Sequence, residues 1–174
     1  MERKSESEHG FTLLEVLTTI TIAGIVMASA VVGMFALARA QQQSSTAQSL
    51  LSAMRAAQAS AQGEGRAYCI RIDSSTSWST WRYSCDPAEP TTPGNPTKVG
   101  AGSVNGTAYV AATALTASSV SGLAHSCPAG VLGCAFFYPR GLASSGTLEV
   151  RRTSSSSKYL LTVVGITGRV FITH

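Results

Sequence analysis

Charge and acid–base chemistry are scarce in this chain. Of its 174 residues only 13% are charged, and three are histidine. Beyond residue 10 the carboxylates are Glu15, Glu64, Asp73, Asp86, Glu89 and Glu149, and the histidines are His125 and the terminal His174. Serine is plentiful, but no Gly-x-Ser-x-Gly elbow and no glycine-rich phosphate loop ending in Lys-Ser/Thr occurs, so neither hydrolase nor nucleotide chemistry is indicated. We read the chain as non-catalytic and without a cofactor. Cysteine is limited to Cys69, Cys85, Cys127 and Cys134, and no two have the Cys-x2-Cys spacing of a structural zinc site. His125 with Cys127 and Cys134 supplies three ligand types at irregular spacing, and no metal is expected. Proline is missing from Phe11 to Gln62, so nothing there forces a helix to break.

Long apolar sequence is present instead. From Val16 to Ala38 no residue is charged, and the run from Phe11 is long enough to cross a bilayer, where about 20 apolar residues suffice. Glu15 is therefore a solitary carboxylate near the start of a membrane-length helix. An ionised group at such depth costs about 2.5–3.5 kcal/mol on insertion scales and is usually met by a partner. Two ordinary readings compete. A cleaved secretory signal is suggested by Arg3, Lys4 and the small residues Ala28-Ser29-Ala30, yet Glu15 would interrupt its core and the apolar run continues past Ala30. A plain membrane anchor leaves Glu15 without a role.

The sequence Gly10-Phe11-Thr12-Leu13-Leu14-Glu15 resembles the prepilin processing site of type IV pilins and type II secretion pseudopilins. The resemblance implies cleavage by a prepilin peptidase between Gly10 and Phe11, methylation of the new amine, and a docking role for Glu15. That logic is physically coherent. Phe11 and Glu15 share one helical face, and a carboxylate is favoured near a helix N-terminus. Many pilins place a proline two-thirds along this segment; here stands Val31-Val32-Gly33. Residues 1–10 are then a leader, 11–38 the transmembrane part of the helix, 39–62 its amphipathic half, and 63–174 a β-rich head.

Residues 39–62 are polar but helix-forming, with Ala47, Leu50, Leu51, Met54, Ala57 and Ala61 at helical spacing. Gly63-Glu64-Gly65 ends the pattern. A continuous helix from Phe11 to Gln62 would be about 78 Å long. Beyond it the period changes to two. Tyr68–Ile72 and Trp78–Cys85 read as a hairpin, Asp86–Pro96 as a proline-rich loop, and Tyr109–Ala111 as a weak strand. Cys134–Tyr138, Gly146–Arg151, Tyr159–Val164 and Gly168–Thr173 read as further strands. The expected fold is α+β: a long helix packed on antiparallel, sandwich-like sheet. Four cysteines beyond the apolar run indicate two disulfides in an oxidising compartment. Three connectivities are open, of which the local one, Cys69 with Cys85 and Cys127 with Cys134, is favoured.

The Ala- and Arg-rich helix, the Trp-containing hairpin, Phe137-Tyr138-Pro139-Arg140-Gly141 and Thr167-Gly168-Arg169-Val170 together resemble the GspH/FimT group of minor pilins and minor pseudopilins. This implies a subunit held once in the bacterial inner membrane, its head periplasmic or extracellular, with other pilin or pseudopilin subunits as partners. Pilus and secretion roles both stay open. Some FimT-like pilins bind DNA through Gly-Arg-x-Arg, and here the second arginine is Phe171. Arg151, Arg152, Lys158 and Arg169 are the candidate DNA contacts, in a chain whose processed form carries 11 basic and 6 acidic side chains. The competing expectation splits Arg151 and Arg152 between sheet faces and pairs Arg169 with Glu149.

Overall fold

Thr12 starts the first helix. The structure is a computed structural model that describes residues 11–89, 94–104, 106, 108–112, 127–152 and 155–173. Helix α1 runs Leu13–Glu64. The Thr12 hydroxyl accepts the Glu15 backbone N–H at 3.3 Å, and the Thr12 carbonyl accepts from Glu15 and Val16. Thr12-Leu13-Leu14-Glu15 thus has the Thr-x-x-Glu pattern of a capping box. The far end closes as sharply. Gly65 takes φ 66°, and the Arg66 N–H returns to the Ala61 carbonyl at 3.3 Å, which is the Schellman arrangement. The helix therefore runs two residues past the expected Gln62.

By its contacts the chain forms two units, Met1–Ala38 and Arg39–His174. In the first, the described apolar side chains lie exposed around the whole helix: Leu13 is 84% exposed and Ile25 68%. Its hydroxyls are satisfied internally. Thr18 and Thr19 donate to the carbonyls of Glu15 and Val16, Thr21 to Leu17, and Ser29 to Val26, all at 2.8–2.9 Å. Such back-bonding lets hydroxyls enter hydrocarbon without an orphaned donor.

The second unit holds eight strands among the described residues: β1 Tyr68–Ser74, β2 Ser77–Arg82, β3 Thr97–Ser103, β4 Ala108–Ala112, β5 Gly133–Phe137, β6 Gly146–Arg152, β7 Ser155–Val163 and β8 Val170–Thr173. They make two antiparallel sheets, ordered β3-β2-β1-β5 and β4-β6-β7-β8. The helical stripe Ala47, Leu50, Leu51, Met54, Ala57 and Ala61 is buried to 5% exposure or less. It shares one core with Ile70, Ile72 and Phe137 of the first sheet and Leu148, Val150 and Leu161 of the second. Buried Gln43 donates its amide to the Val150 carbonyl at 3.1 Å, so the polar end of the stripe is satisfied too.

Three sequence expectations are corrected. The strand from Trp78 ends at Arg82, because Tyr83 turns left-handed (φ 76°) and sends its N–H to the Ala67 carbonyl. The last strand begins at Val170, since Gly168 at φ 62° belongs to the turn before it. Strand β3 lies where no strand was expected. Its Gly102 sits under Trp78, whose ring would lie 2.4 Å from an added β-carbon, so the glycine marks close approach of an aromatic ring.

The face of the first sheet away from the helix carries a second cluster of Cys69, Cys85, Cys134, Phe136 and Tyr138. Cys69 is bonded to Cys85 and Cys127 to Cys134, at sequence separations of 16 and 7. The first bridge fastens the chain that leaves β2, the second the chain that enters β5, over this otherwise open face. Beside them Arg71 stacks 4.5 Å above the Trp81 ring and pairs with Asp73.

On the second sheet, Glu149 is buried at 5% exposure and receives both Lys158 Nζ, at 3.0 Å, and the Arg151 guanidinium. The hydrogen bond from Lys158, with that from Arg151, holds the Glu149 carboxyl below its ordinary 4.5 despite the opposing effect of burial. A depressed carboxyl contributes stability above its unfolded pKa and loses it as pH falls through the folded value. The melting temperature of the head should therefore fall below about pH 4.5, and Glu149→Gln should flatten that limb in a thermal melt series. Replacing Cys69 and Cys85 together by serine should cost about 2–4 kcal/mol, read by chemical denaturation of the head with and without reductant.

Candidate functional site

The residues expected to serve processing and docking lie at or just before the start of α1. Gly10 is outside the described residues. Phe11 is 81% exposed and directly precedes the Thr12 cap, and Glu15 is the acid of the first turn. Position 15 is the third of the helix, where backbone N–H groups and the macrodipole favour a negative charge. Among the described residues no cation meets its carboxylate. Leu13–Glu64 is also long and apolar enough to cross a membrane, with mean hydropathy 2.3 over its most apolar 18-residue window and none of that window buried. Thr12 is the functional-site residue that sequence reasoning missed. The capping signature was legible in Thr-x-x-Glu but was read only for its charge.

The four candidate DNA contacts, Arg151, Arg152, Lys158 and Arg169, do not form one cluster. Arg151 and Lys158 face each other across the strand pair and both bind Glu149, so one of their two charges is neutralised in place. Arg152, next along β6, belongs to the opposite face by the alternation of a strand, and its buried Nε has no hydrogen-bond partner among the described residues. Arg169 precedes Val170, which pairs with Val163. Five residues separate Val163 from Lys158, about 17 Å along the strand. The expected pairing of Arg169 with Glu149 is therefore corrected, since that carboxylate serves Arg151 and Lys158. Arg151 is in turn held more firmly protonated by its hydrogen bond to Glu149. Elsewhere in the head, burial and then the hydrogen bond to Glu64 push the Tyr68 phenol above its ordinary value.

Three sulfurs, of Cys69, Cys85 and Cys134, lie within 4.8 Å of one another because the two bridges pack side by side. Sulfur bound in a disulfide is not the thiolate that ligates zinc, and His125 lies outside the described residues.

Two family models match. Residues 7–31 match the prokaryotic N-terminal methylation motif, and residues 46–168 match the type II transport protein GspH. No curated protein matches by sequence. Among solved structures, the chain is similar to the minor pseudopilin EpsH from the type 2 secretion system of Vibrio cholerae. The TM-score is 0.54 at 13% identity, over 75% of this chain and 94% of that one. It is also similar to the type IV minor pilin FimU of Pseudomonas aeruginosa, with TM-score 0.52 at 11% identity, over 77% and 90%. These likenesses carry the fold: one long N-terminal helix with antiparallel sheets. The methylation motif and the apolar helix are those of a membrane-anchored chain. With the GspH model spanning most of the sequence, the chain belongs to the GspH family of type II transport proteins.

Proposed function

We propose that this protein is a non-catalytic minor pilin or pseudopilin subunit of a type IV pilus-like filament. It waits in the inner membrane as a single-pass protein with its head on the periplasmic side. A prepilin peptidase cuts between Gly10 and Phe11 and methylates the new amine. The subunit then enters the filament at its tip or in the complex that primes it. The observation that carries this reading is Glu15: an acid in the first turn of a capped helix whose apolar first part is exposed, inside a matched methylation motif.

The chemistry follows from elementary electrostatics. A carboxylate in hydrocarbon is costly alone and favourable beside a cation, because the low dielectric magnifies both terms. Cleavage creates such a cation at Phe11. A neighbouring subunit's terminal amine can reach Glu15 as the two apolar helices pack, so docking neutralises both charges at once. The residues surrounding Glu15 supply shape and no competing charge, since Val16 to Ala38 is uncharged. In the head, each carboxylate is engaged by a neighbour within the chain, and none is left poised as an acid or base.

Material recovered from cells should begin at N-methylated Phe11 by intact and peptide mass spectrometry. A different N-terminus would overturn the proposal. Glu15→Ala should remain processed and membrane-bound yet be lost from sheared filaments on immunoblot. Normal incorporation of that variant would remove the docking role.

A further inference from the structure

The processed chain carries a charge of +5, and its uncompensated part is not evenly spread. Five carboxylates lie in the head, and the chain engages each of them. Glu64 accepts from the Tyr68 hydroxyl at 2.8 Å and lies near Arg82; Asp73 holds Arg71. Asp86 caps the Ala88 N–H, Glu89 accepts from Ser84, and Glu149 takes Arg151 and Lys158. Arg39, Arg55, Arg66, Lys98, Arg140, Arg152 and Arg169 meet no carboxylate among the described residues, and of these Arg55, Arg140 and Arg169 are exposed beside one pair of loops.

Close backbone contacts bring these three together. The turn Tyr138-Pro139-Arg140-Gly141 closes with the Gly141 N–H on the Tyr138 carbonyl, and Gly141 takes φ 79°. The loop between β7 and β8 closes with the Val164 N–H on the Arg169 carbonyl. The two loops then clasp. The Ala143 N–H donates to the Gly165 carbonyl at 2.8 Å, and Gly168 approaches so closely that an added β-carbon would lie 2.5 Å from the Gly141 carbonyl oxygen. Arg140 and Arg169 each adjoin that point of contact in sequence. Arg55 reaches the same place from the helix, its guanidinium 3.5 Å from the Val170 carbonyl, with Gln58 beside Gly168 and Gln62 beside Gly141. At the crown of the β7–β8 loop stands Ile166, 82% exposed.

We propose that Arg55, Arg140 and Arg169, gathered about Ile166, form a docking surface for a carboxylate-bearing surface on a different protein subunit. The proposal rests on the filament-subunit reading and names the chemistry of a neighbour. Guanidinium groups match carboxylates through paired hydrogen bonds. An aliphatic side chain amid them gains from a partner that removes it from water. A nucleic acid is the poorer fit, because its backbone rewards cations along a track and offers Ile166 little. A second copy of this chain is also a poor fit, because its own head carboxylates are already engaged.

The test uses the full chain in its native cells, with the photo-crosslinker p-benzoylphenylalanine placed at Ile166. Irradiation should yield an adduct to another protein, its crosslinked peptide neighbouring Asp or Glu in that partner. Arg140→Glu with Arg169→Glu should lower the adduct about tenfold or more through like-charge repulsion, with membrane abundance unchanged. Reversing the partner's acid to Lys should restore it. An adduct to nucleic acid, to lipid or to a second copy overturns the proposal. So does no adduct, or one indifferent to charge reversal, while the wild-type chain is processed and incorporated. Failure of the filament reading itself shows separately, as an N-terminus other than Phe11 in the same preparation.

Discussion

One stripe on one helix has to serve two sheets, and the head depends on that arrangement. Ala47, Leu50, Leu51, Met54, Ala57 and Ala61 are all buried, and both sheets bury side chains against them. Leu50, Leu51 and Met54 supply the larger helix side chains of that shared core, and Ala47, Ala57 and Ala61 the smaller ones. Burying a side chain such as Leu50 or Met54 contributes about 1.5–3 kcal/mol, and truncating it in a packed core costs about 2–5 kcal/mol. With aromatics at only 7% of the chain, the core has few large groups to spare. The second cluster on the far face of β1 and β5 compensates by covalent means. There two disulfides hold loops over Phe136 and Tyr138, which hydrophobic area alone would hold less firmly.

Much of this was legible because period and punctuation are local properties. The helical stripe was readable from its 3.6 spacing residue by residue. The hairpin of β1 and β2 and the strands at Cys134, Gly146 and Tyr159 were readable from alternation and flanking turns. What escaped was decided by partners distant in sequence. Strand β3, with Gly100 and Gly102, has little intrinsic preference for a strand; it forms because Thr80 and Trp78 of β2 cover those glycines. The left-handed Tyr83 could not be read either, since nothing in Arg82-Tyr83-Ser84 announces it and the Ala67 carbonyl that receives its N–H is 16 residues away.

The site was legible to different depths at its two ends. Phe11, Thr12 and Glu15 are contiguous, so sequence holds nearly all of their geometry, and only the capping role of Thr12 was overlooked. The basic residues of the head are not contiguous, and counting cations misled. Alternation turns Arg152 away from Arg151, and the length of β7 carries Arg169 away from Lys158. Glu149 binds the two that do meet and neutralises one of their charges. A cation count becomes a surface only after the acids have been assigned, and that assignment is a property of the folded sheet.

The same accounting explains why the chain's unsatisfied chemistry points outward. In the apolar unit the hydroxyls of Thr18, Thr19, Thr21 and Ser29 return to their own helix, which leaves Glu15 as a carboxylate that no cation meets among the described residues. In the head each carboxylate is held internally, which leaves arginines as the surplus. A chain that met all these demands itself would bury no charge on assembly and would gain specificity only from shape. Here the acid and the arginines belong to separate units. An incoming neighbour that supplies an amine to one and carboxylates to the other relieves a desolvation cost at the first and charge repulsion at the second. On the proposed reading, shape sets how closely subunits approach, while these few charges determine which neighbour is accepted.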